Sequence, residues 1–204
     1  MANNIAILAS TKGTDMQAII DAIDKKKLDA KIKFVLSNKS DNYALTRAKK
    51  HGIPSIFLDP KGKPRKKYDR EISGLIEKHD VALILLIGYM KLMSPWFVEK
   101  YKNRVMNIHP SILPMFAGGM DLNVHEQVIQ RGSKVSGCSL IFVDKGADTG
   151  PIILQKTVPV RFEDSPEDLK KRVQKAEQDI LLKGIQLFFN GKLLVEENKV
   201  KILK

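Results

Sequence analysis

Short apolar segments alternate with amphipathic segments through the first half of this 204-residue chain, and this alternation restricts its fold more than any other feature. The apolar segments at 4–10 ("NIAILAS"), 31–37 ("KIKFVLS") and 81–88 ("VALILLIG") have the length and composition of buried strands. The apolar residues of the segment 14–24 recur instead at helical spacing. Because strands that alternate with helices form parallel βαβ units, the pattern predicts a doubly wound, Rossmann-like α/β fold with a mostly parallel sheet.

The pattern changes in the second half. Two strand-like segments, 134–144 ("KVSGCSLIFVD") and 151–160 ("PIILQKTVPV"), flank a turn-rich stretch, and a hairpin is predicted over 192–203 ("KLLVEENKVKIL"). The clearest helix follows Ser165, which is a good N-cap and is followed by a proline. We therefore predict a C-terminal mixed-sheet extension with a long helix, within a single domain over 1–204.

The amino-acid composition and charge indicate which classes of partner and which cellular location are expected. The net charge is +12, but the lysines are spread along the chain, and the densest basic run, "KGKPRKK" at 61–67, has no interleaved aromatic residues. This distribution is typical of a solvated basic surface that attracts small anions, and it argues against a nucleic-acid partner. No apolar run approaches the roughly 20 residues of a membrane helix and no export signal is visible, so we predict a cytoplasmic protein. The single cysteine, Cys138, excludes a disulfide framework and any multi-cysteine metal site.

Asn107 and His109 lie two residues apart at the end of the predicted strand "RVMNIHP". Residues i and i+2 of a strand share a face, and open α/β sheets bind ligands beyond the carboxyl ends of their strands. The pair could therefore present an amide and an imidazole to one bound molecule. A histidine that only completes local hydrogen bonds is the alternative, and the spacing alone does not decide between them.

Asp148 favours a catalytic role for His109 over a purely structural one. It lies in "GADTGP", where a short polar side chain could also serve only to form a turn. If this turn faces the same end of the sheet, the carboxylate favours the imidazolium form of His109. An amide, an imidazolium and a carboxylate suit an oxyanion and a departing amine, with the imidazolium as general acid. Because the chain has no G-x-S-x-G motif, direct attack by a bound amine or by water is the simplest chemistry.

The loop "STKGTDMQ" at 10–17 joins the first strand to the first helix. Thr14 and Gln17 have the spacing of a capping box, and Gly13 permits a tight turn. Backbone N–H groups at such a junction can bind a phosphate, although the chain has neither G-x-G-x-x-G nor G-x-x-x-x-G-K-[ST]. We predict no metal site, because the four histidines lack metal-ligand spacing.

Three motifs together resemble one family. The run "NIHPSILP" at 107–114, then "FAGG" at 116–119 and "GADTGPIILQ" at 146–155, resembles the signature of N10-formyltetrahydrofolate-dependent formyltransferases. The similarity also includes "GYMKLMSPWFV" at 88–98 and "RVQKAEQ" at 172–178, and so covers nearly the whole chain. The resemblance implies formyl transfer from N10-formyltetrahydrofolate, as co-substrate, to the amine of glycinamide ribonucleotide in purine biosynthesis, without a metal.

The resemblance also implies roles for individual residues. Asn107 and His109 would stabilise the tetrahedral intermediate, with His109 as proton donor and Asp148 keeping it protonated. The chain would divide into a nucleotide-binding half, 1–103, and a catalytic and folate-binding half, 104–204. The folate pocket would include Arg65, Met90, Lys91, Leu92, Met93, Asn107, Asp144, Lys145, Gly146, Ala147 and Asp148. The ribonucleotide and its phosphate would contact Thr11, Lys12, Gly13, Thr14, Asp15, Gln174, Lys175, Ala176 and Glu177.

The phosphate loop departs from the pattern Ser-Gly-x-Gly-Ser/Thr-Asn of the family it resembles, because this chain has "STKGTD" at 10–15. Loss of one glycine limits how closely the backbone can approach a ligand. Asp15 would repel a phosphate if it pointed inward, whereas Lys12 could compensate.

The sequence is compatible with several alternative functions. A formyltetrahydrofolate hydrolase would use water in place of the amine, and relatives of that kind carry an additional N-terminal domain that this chain is expected to lack. A formyltransferase for another amine would share the chemistry. A non-catalytic binder of anionic ligands or RNA is suggested by the charge alone. The expected partners are small molecules, and both a monomer and a homodimer are compatible with the sequence.

Overall fold

A computed structural model describes residues 3–118 and 121–204, so that Gly119 of the "FAGG" motif lies outside the described residues. The predicted strands and helices are present, with small differences at their ends. The strands are β1 (Asn4–Ala9), β2 (Lys31–Ser37), β3 (Ser55–Phe57), β4 (Leu83–Ile87), β5 (Val105–His109), β6 (Val135–Phe142), β7 (Ile152–Pro159), β8 (Leu193–Glu196) and β9 (Lys199–Ile202). The helices are α1 (Thr14–Asp24), α2 (Tyr43–Lys50), α3 (Arg65–Lys78), α4 (Pro95–Lys100), α5 (Asp121–Gln130) and α6 (Pro166–Phe189).

The chain divides into two compact units, and the first comprises Met1–Asn107 and Val143–Lys145. Its strands are parallel and follow the order β3-β2-β1-β4-β5. In this order the chain moves outward from β1 in one direction and then continues on the other side of β1, as in doubly wound α/β folds. The predicted fold class is confirmed. The predicted functional halves, 1–103 and 104–204, stay a prediction.

Residues on both faces of the parallel sheet are apolar and buried. Ala6 and Leu8 of β1 belong to a buried cluster that also contains Ile72 of α3 and Phe97 of α4. The intervening residue Ile7 is also completely buried. Successive strand residues point to opposite faces, so continuous apolar strands of this kind need cover on both faces.

The strand order reverses between β1 and β4, and such reversals are where open α/β sheets bind ligands. The two strands end at Ala9 and Ile87. The loops that begin with Ser10 and Gly88 therefore lie at this position, and the Ser10 N–H donates to the Gly88 carbonyl at 3.1 Å. These loops carry the predicted phosphate and folate segments.

The second unit comprises Ile108–Phe142 and Gly146–Lys204. In it β6 pairs with β7 in antiparallel fashion, β9 lies parallel to β7, and β8 is antiparallel to β9. Helix α6 packs closely on β6, because a Cβ atom at Gly184 would lie 2.1 Å from Cδ2 of Leu140. The predicted mixed-sheet extension and long helix are confirmed.

The start of α6 follows the local signals of the sequence. Ser165 is the N-cap, and its hydroxyl accepts a hydrogen bond from the Asp168 N–H at 3.2 Å. The Asp168 carboxylate accepts in return from the Ser165 N–H, which completes a capping box. None of the helices in the described ranges combines the length and apolar composition needed to cross a membrane.

Candidate active site

Strand β5 ends with His109 and carries Asn107 two residues earlier, so both residues project from one face of the strand. Asn107 is the last residue of β5 that pairs with β4, where its partner is Leu86. His109 is only 3% exposed. A histidine this buried needs partners for its ring nitrogens.

Asp148 provides the first partner. Nδ1 of His109 lies 3.2 Å from Oδ2 of Asp148. The same carboxylate oxygen accepts a hydrogen bond from the backbone N–H of Gly118 at 3.0 Å. Because the Asp148 side chain is only 16% exposed, water screens the pair less than it would at the surface. The structure thus brings two of the predicted catalytic residues into contact.

Both ring nitrogens of His109 face acceptor oxygens. Nε2 lies 3.1 Å from the carbonyl oxygen of Phe116, while Nδ1 faces the carboxylate of Asp148. A neutral imidazole has one N–H and would leave one of these oxygens facing a lone pair. An imidazolium donates to both oxygens. The structure therefore places an acceptor oxygen at each nitrogen of the ring, and Nε2 is the nitrogen that a general acid would use.

The turn that carries Asp148 depends on its short side chains. Asp148 has a left-handed backbone with φ 57°, which aspartate tolerates better than most residues do. In the same turn, a Cβ atom at Gly146 would lie 2.1 Å from Oγ1 of Thr149. Asp148 therefore both forms the turn and lies against the His109 ring, and its catalytic role stays a prediction.

Ser10 connects the predicted phosphate loop to the predicted folate segment. Its hydroxyl accepts a hydrogen bond from the Met90 N–H at 2.9 Å and donates to Oδ1 of Asn38 at 2.6 Å. Thr11 packs so tightly against the next loop that a Cβ atom at Gly88 would lie 2.1 Å from its Oγ1. Gly88 also has φ 57°, so both sterics and backbone conformation require glycine there.

The capping box predicted for α1 is wrong. The N-cap is Gly13, with φ 63°, and glycine has no side chain that could cap the helix. Thr14 is the first helical residue instead, and Gln17 donates to Asp21 at 2.7 Å and accepts from Arg47 at 2.5 Å. The first N–H groups of α1 therefore receive no side-chain oxygen from the N-cap, which leaves this helix start suited to an anion.

The predicted phosphate-loop residues differ in exposure. Thr11, Lys12 and Thr14 are exposed, whereas Gly13 and Asp15 are buried. Lys12 therefore places a solvent-accessible cation beside the start of α1, while the Asp15 carboxylate is largely withdrawn from the surface.

The predicted folate segment presents apolar side chains. Met90 and Leu92 are 47% and 57% exposed, whereas Met93 is part of the buried core. Lys91 lies over the Tyr68 ring, with Nζ 5.5 Å from the ring centroid. Burial raises the pKa of Tyr68 to about 12.

The remaining predicted folate residues lie mostly at the surface. Arg65 is exposed at the first position of α3. Exposed Lys145 forms an ion pair with Glu99 at 3.4 Å, and exposed pairs of this kind contribute little to stability. Asp144 is half-buried, and Gly146 and Ala147 are exposed.

The four predicted residues on α6 do not all face the same way. Gln174 and Glu177 are three residues apart and share a helix face. Ala176 is buried at 3% exposure, whereas Lys175 is exposed. Gln174 is half-buried and Glu177 is buried at 8% exposure, so the face that this pair shares is only partly accessible.

Sequence reasoning missed three contributors to this geometry. Phe116 and Gly118 act through backbone groups, which leave no side-chain signal in a sequence. Ser10 could have been found, because it is a polar residue directly after the first strand, where the sheet order reverses. Among residues 3–118 and 121–204, no group of three or more His, Cys, Asp and Glu side chains could hold a metal ion.

A doubly wound sheet with a carboxylate-supported histidine at the end of a strand places this chain among α/β proteins suited to acyl-type group transfer. Residues 3–185 match the family described as formyl transferase. The chain belongs to the formyl transferase family.

Two kinds of relative share this fold. The phosphoribosylglycinamide formyltransferase of Escherichia coli is 39% identical over 196 residues, which are 96% of this chain and 91% of the relative. The structure of glycinamide ribonucleotide transformylase 1 from Symbiobacterium toebii has a TM-score of 0.93 at 37% identity, and covers 100% of this chain and 95% of its own. A formyltetrahydrofolate deformylase from Pseudomonas syringae has a TM-score of 0.90 at 26% identity, and covers 100% of this chain and 67% of its own.

Proposed function

We propose that this protein transfers the formyl group of N10-formyltetrahydrofolate to the amine of glycinamide ribonucleotide, as a step of purine biosynthesis. The observation that carries the proposal is the His109 ring, which lies between the Asp148 carboxylate and the Phe116 carbonyl. A buried imidazolium meets the two needs of formyl transfer: a donor for the developing oxyanion and a proton for the departing nitrogen. The cytoplasmic location of the protein and its state as a monomer or homodimer remain predictions from the sequence.

The proposed mechanism uses the residues of β5 and the turn at Asp148. The substrate amine attacks the formyl carbon, and the oxygen of the tetrahedral intermediate accepts hydrogen bonds from the Asn107 amide and from His109 Nε2–H. As the bond between the formyl carbon and N10 breaks, His109 donates its proton to N10 and recovers one from the attacking amine. Asp148 holds the ring in place and stabilises its positive charge throughout.

Substrate binding follows from the predicted site residues. The phosphate of the ribonucleotide would bind the N–H groups at the start of α1, with Lys12 as an added cation. Glu177 would accept hydrogen bonds from the ribose hydroxyls, with Gln174 beside it, and Lys175 and Ala176 would contribute through the helix backbone. The folate would pack on Met90 and Leu92, and would also contact Arg65, Lys91, Met93, Asp144, Lys145, Gly146 and Ala147.

The first experiment measures release of tetrahydrofolate from N10-formyltetrahydrofolate by the purified protein. We expect release only when glycinamide ribonucleotide is supplied, with one formylated ribonucleotide formed for each tetrahydrofolate. Equal release with and without the ribonucleotide, accompanied by formate, would assign the hydrolase reaction instead. The hydrolase reaction is the second candidate function, because a formyltetrahydrofolate deformylase has a similar fold. Absence of both reactions, with a salt-sensitive shift of RNA mobility, would favour a non-catalytic binder.

Lys12→Ala tests the acceptor side of the site. We expect the KM for the ribonucleotide to rise about 10- to 100-fold, since a lost charge-assisted hydrogen bond typically costs about 1.5–3 kcal/mol. The KM for the formyl donor should remain within about twofold of the wild-type value. Lys25→Ala removes an exposed lysine from the opposite end of α1 and serves as the matched control. An equal rise in the KM of both substrates would contradict a specific role in phosphate binding.

A further inference from the structure

The segment that follows His109 is held by two side chains of the β6–β7 hairpin. Ser139 of β6 and Gln155 of β7 lie directly opposite each other in the antiparallel pair. Both bond to the backbone of the segment 111–113. Gln155 ends the motif "GADTGPIILQ", and the mechanism above gives it no role.

The hydroxyl of Ser139 uses its full hydrogen-bonding capacity. It donates to the carbonyl of Ser111 at 2.7 Å, and it accepts from the Leu113 N–H and from Nε2 of Gln155, each at 2.9 Å. A hydroxyl has one donor hydrogen and two acceptor positions, so all three are occupied. Ser139 is completely buried, and loss of any of these bonds would leave a backbone group or an amide unsatisfied away from water.

The amide of Gln155 completes this arrangement. Its Nε2 donates to the Leu113 carbonyl at 3.0 Å as well as to the Ser139 hydroxyl, so both amide hydrogens are used. Leu113 therefore has its N–H bound by Ser139 and its carbonyl bound by Gln155. The rest of residue 155 is exposed, so substitution there removes these bonds without leaving a cavity in the core.

A short path of hydrogen bonds connects this segment to the His109 ring. The Ser111 hydroxyl donates to the carbonyl of Met115 at 2.5 Å. The next residue, Phe116, has a left-handed backbone with φ 58°, and its carbonyl faces Nε2 of His109 at 3.1 Å. The position of the acceptor on the reactive ring nitrogen therefore depends on how the segment 111–113 is held.

We infer that Gln155 is a positioning residue for formyl transfer. Through Leu113 and Ser139 it fixes the segment that leads to the Phe116 carbonyl, and so sets the orientation of the His109 ring whose Nε2–H acts in the reaction. The reaction rests on the proposed function, whereas the positioning of the ring does not. A misplacement of about 1 Å in a catalytic group can lower turnover by roughly 10²-fold, so a partly relaxed segment has a measurable effect.

The test is Gln155→Met, which keeps the length of the side chain and removes both donors. We expect kcat to fall about tenfold, because the His109 ring is no longer held in its orientation. Both KM values should stay within about twofold, because the contacts that bind the substrates are unchanged. In ¹H–¹⁵N spectra of the ligand-free protein, the His109 Nε2–H signal, assigned with His109→Asn, should broaden through exchange with water. Ser139→Ala should give the same signature, and the double variant should add little to either change.

Thr157→Val is the matched control. Thr157 is the next residue on the same face of β7, is exposed, and makes no side-chain hydrogen bond within the described part of the chain. Its kcat and its ring signal should equal those of the wild type. A wild-type Nε2–H signal in Gln155→Met would overturn the inference, as would a fall in kcat explained entirely by a lower Tm. Absence of formyl transfer by the wild type would overturn the proposed function alone, since the spectra need no substrate.

Discussion

Asp148→Asn is expected to lower kcat by about 10³-fold while the protein remains folded. The substitution removes the negative charge that faces Nδ1 of His109 at 3.2 Å, so the imidazolium loses its main electrostatic support. General acid catalysis typically contributes about 10²–10⁴-fold, and most of that contribution should be lost. Asparagine tolerates the left-handed conformation at this position, and it can still accept the Gly118 N–H, so the turn should persist.

The measurement is steady-state turnover at saturating concentrations of both substrates, together with the Tm of each variant. Asp179→Asn is the control, because it removes an exposed carboxylate of the second unit that pairs with Lys156. Its turnover should match that of the wild type. A near-normal kcat for Asp148→Asn would refute the proposal that the Asp148 carboxylate supports His109 in catalysis.

The second large effect is expected from His109→Asn, alone and combined with Asp148→Asn. The single variant should lose about 10⁴-fold in kcat, because it removes the oxyanion donor and the proton donor together. The kcat of the double variant should be within about threefold of the kcat of His109→Asn. Residues that act as one unit show such non-additivity, because Asp148 has nothing to support once the ring is absent.

A multiplicative result would point to separate functions. If the two single losses multiplied in the double variant, Asp148 would contribute to turnover independently of His109. Measurement of single-turnover rates, with enzyme in excess over the formyl donor, would ensure that the comparison concerns the chemical step and not product release. Thermal unfolding of all three variants would exclude loss of folded protein as the cause.

Much of the fold could be predicted from periodicity alone. The apolar run at 83–87 is a fully buried strand, as its composition indicated, and Ser165 caps α6 as expected. The prediction failed at α1, where the spacing of Thr14 and Gln17 fits a capping box but the helix begins one residue earlier than that motif requires, with Gly13 as the N-cap. Gln17 is bound to Arg47 of α2, and such a tertiary contact cannot be read from local spacing.

The catalytic candidates were predictable to a similar degree. Asn107 and His109 share a strand face because strand geometry has a period of two, which is a local property. Asp148 was identified as a partner on its charge and its turn context. The acceptor on Nε2 could not be anticipated, because the carbonyl of Phe116 is a backbone group that any residue could supply.

Local sequence patterns are enough to predict the alternation of strands and helices, the shared face of Asn107 and His109, and the acidic turn at Asp148, since each depends on neighbouring residues. Which oxygen faces each nitrogen of the His109 ring depends instead on the three-dimensional fold. These contacts join segments that are distant in the chain and depend on how the segment after β5 and the turn before β7 are held. The pairing of both ring nitrogens with acceptors is therefore a property of the folded molecule, because two distant oxygens must be brought to one buried ring.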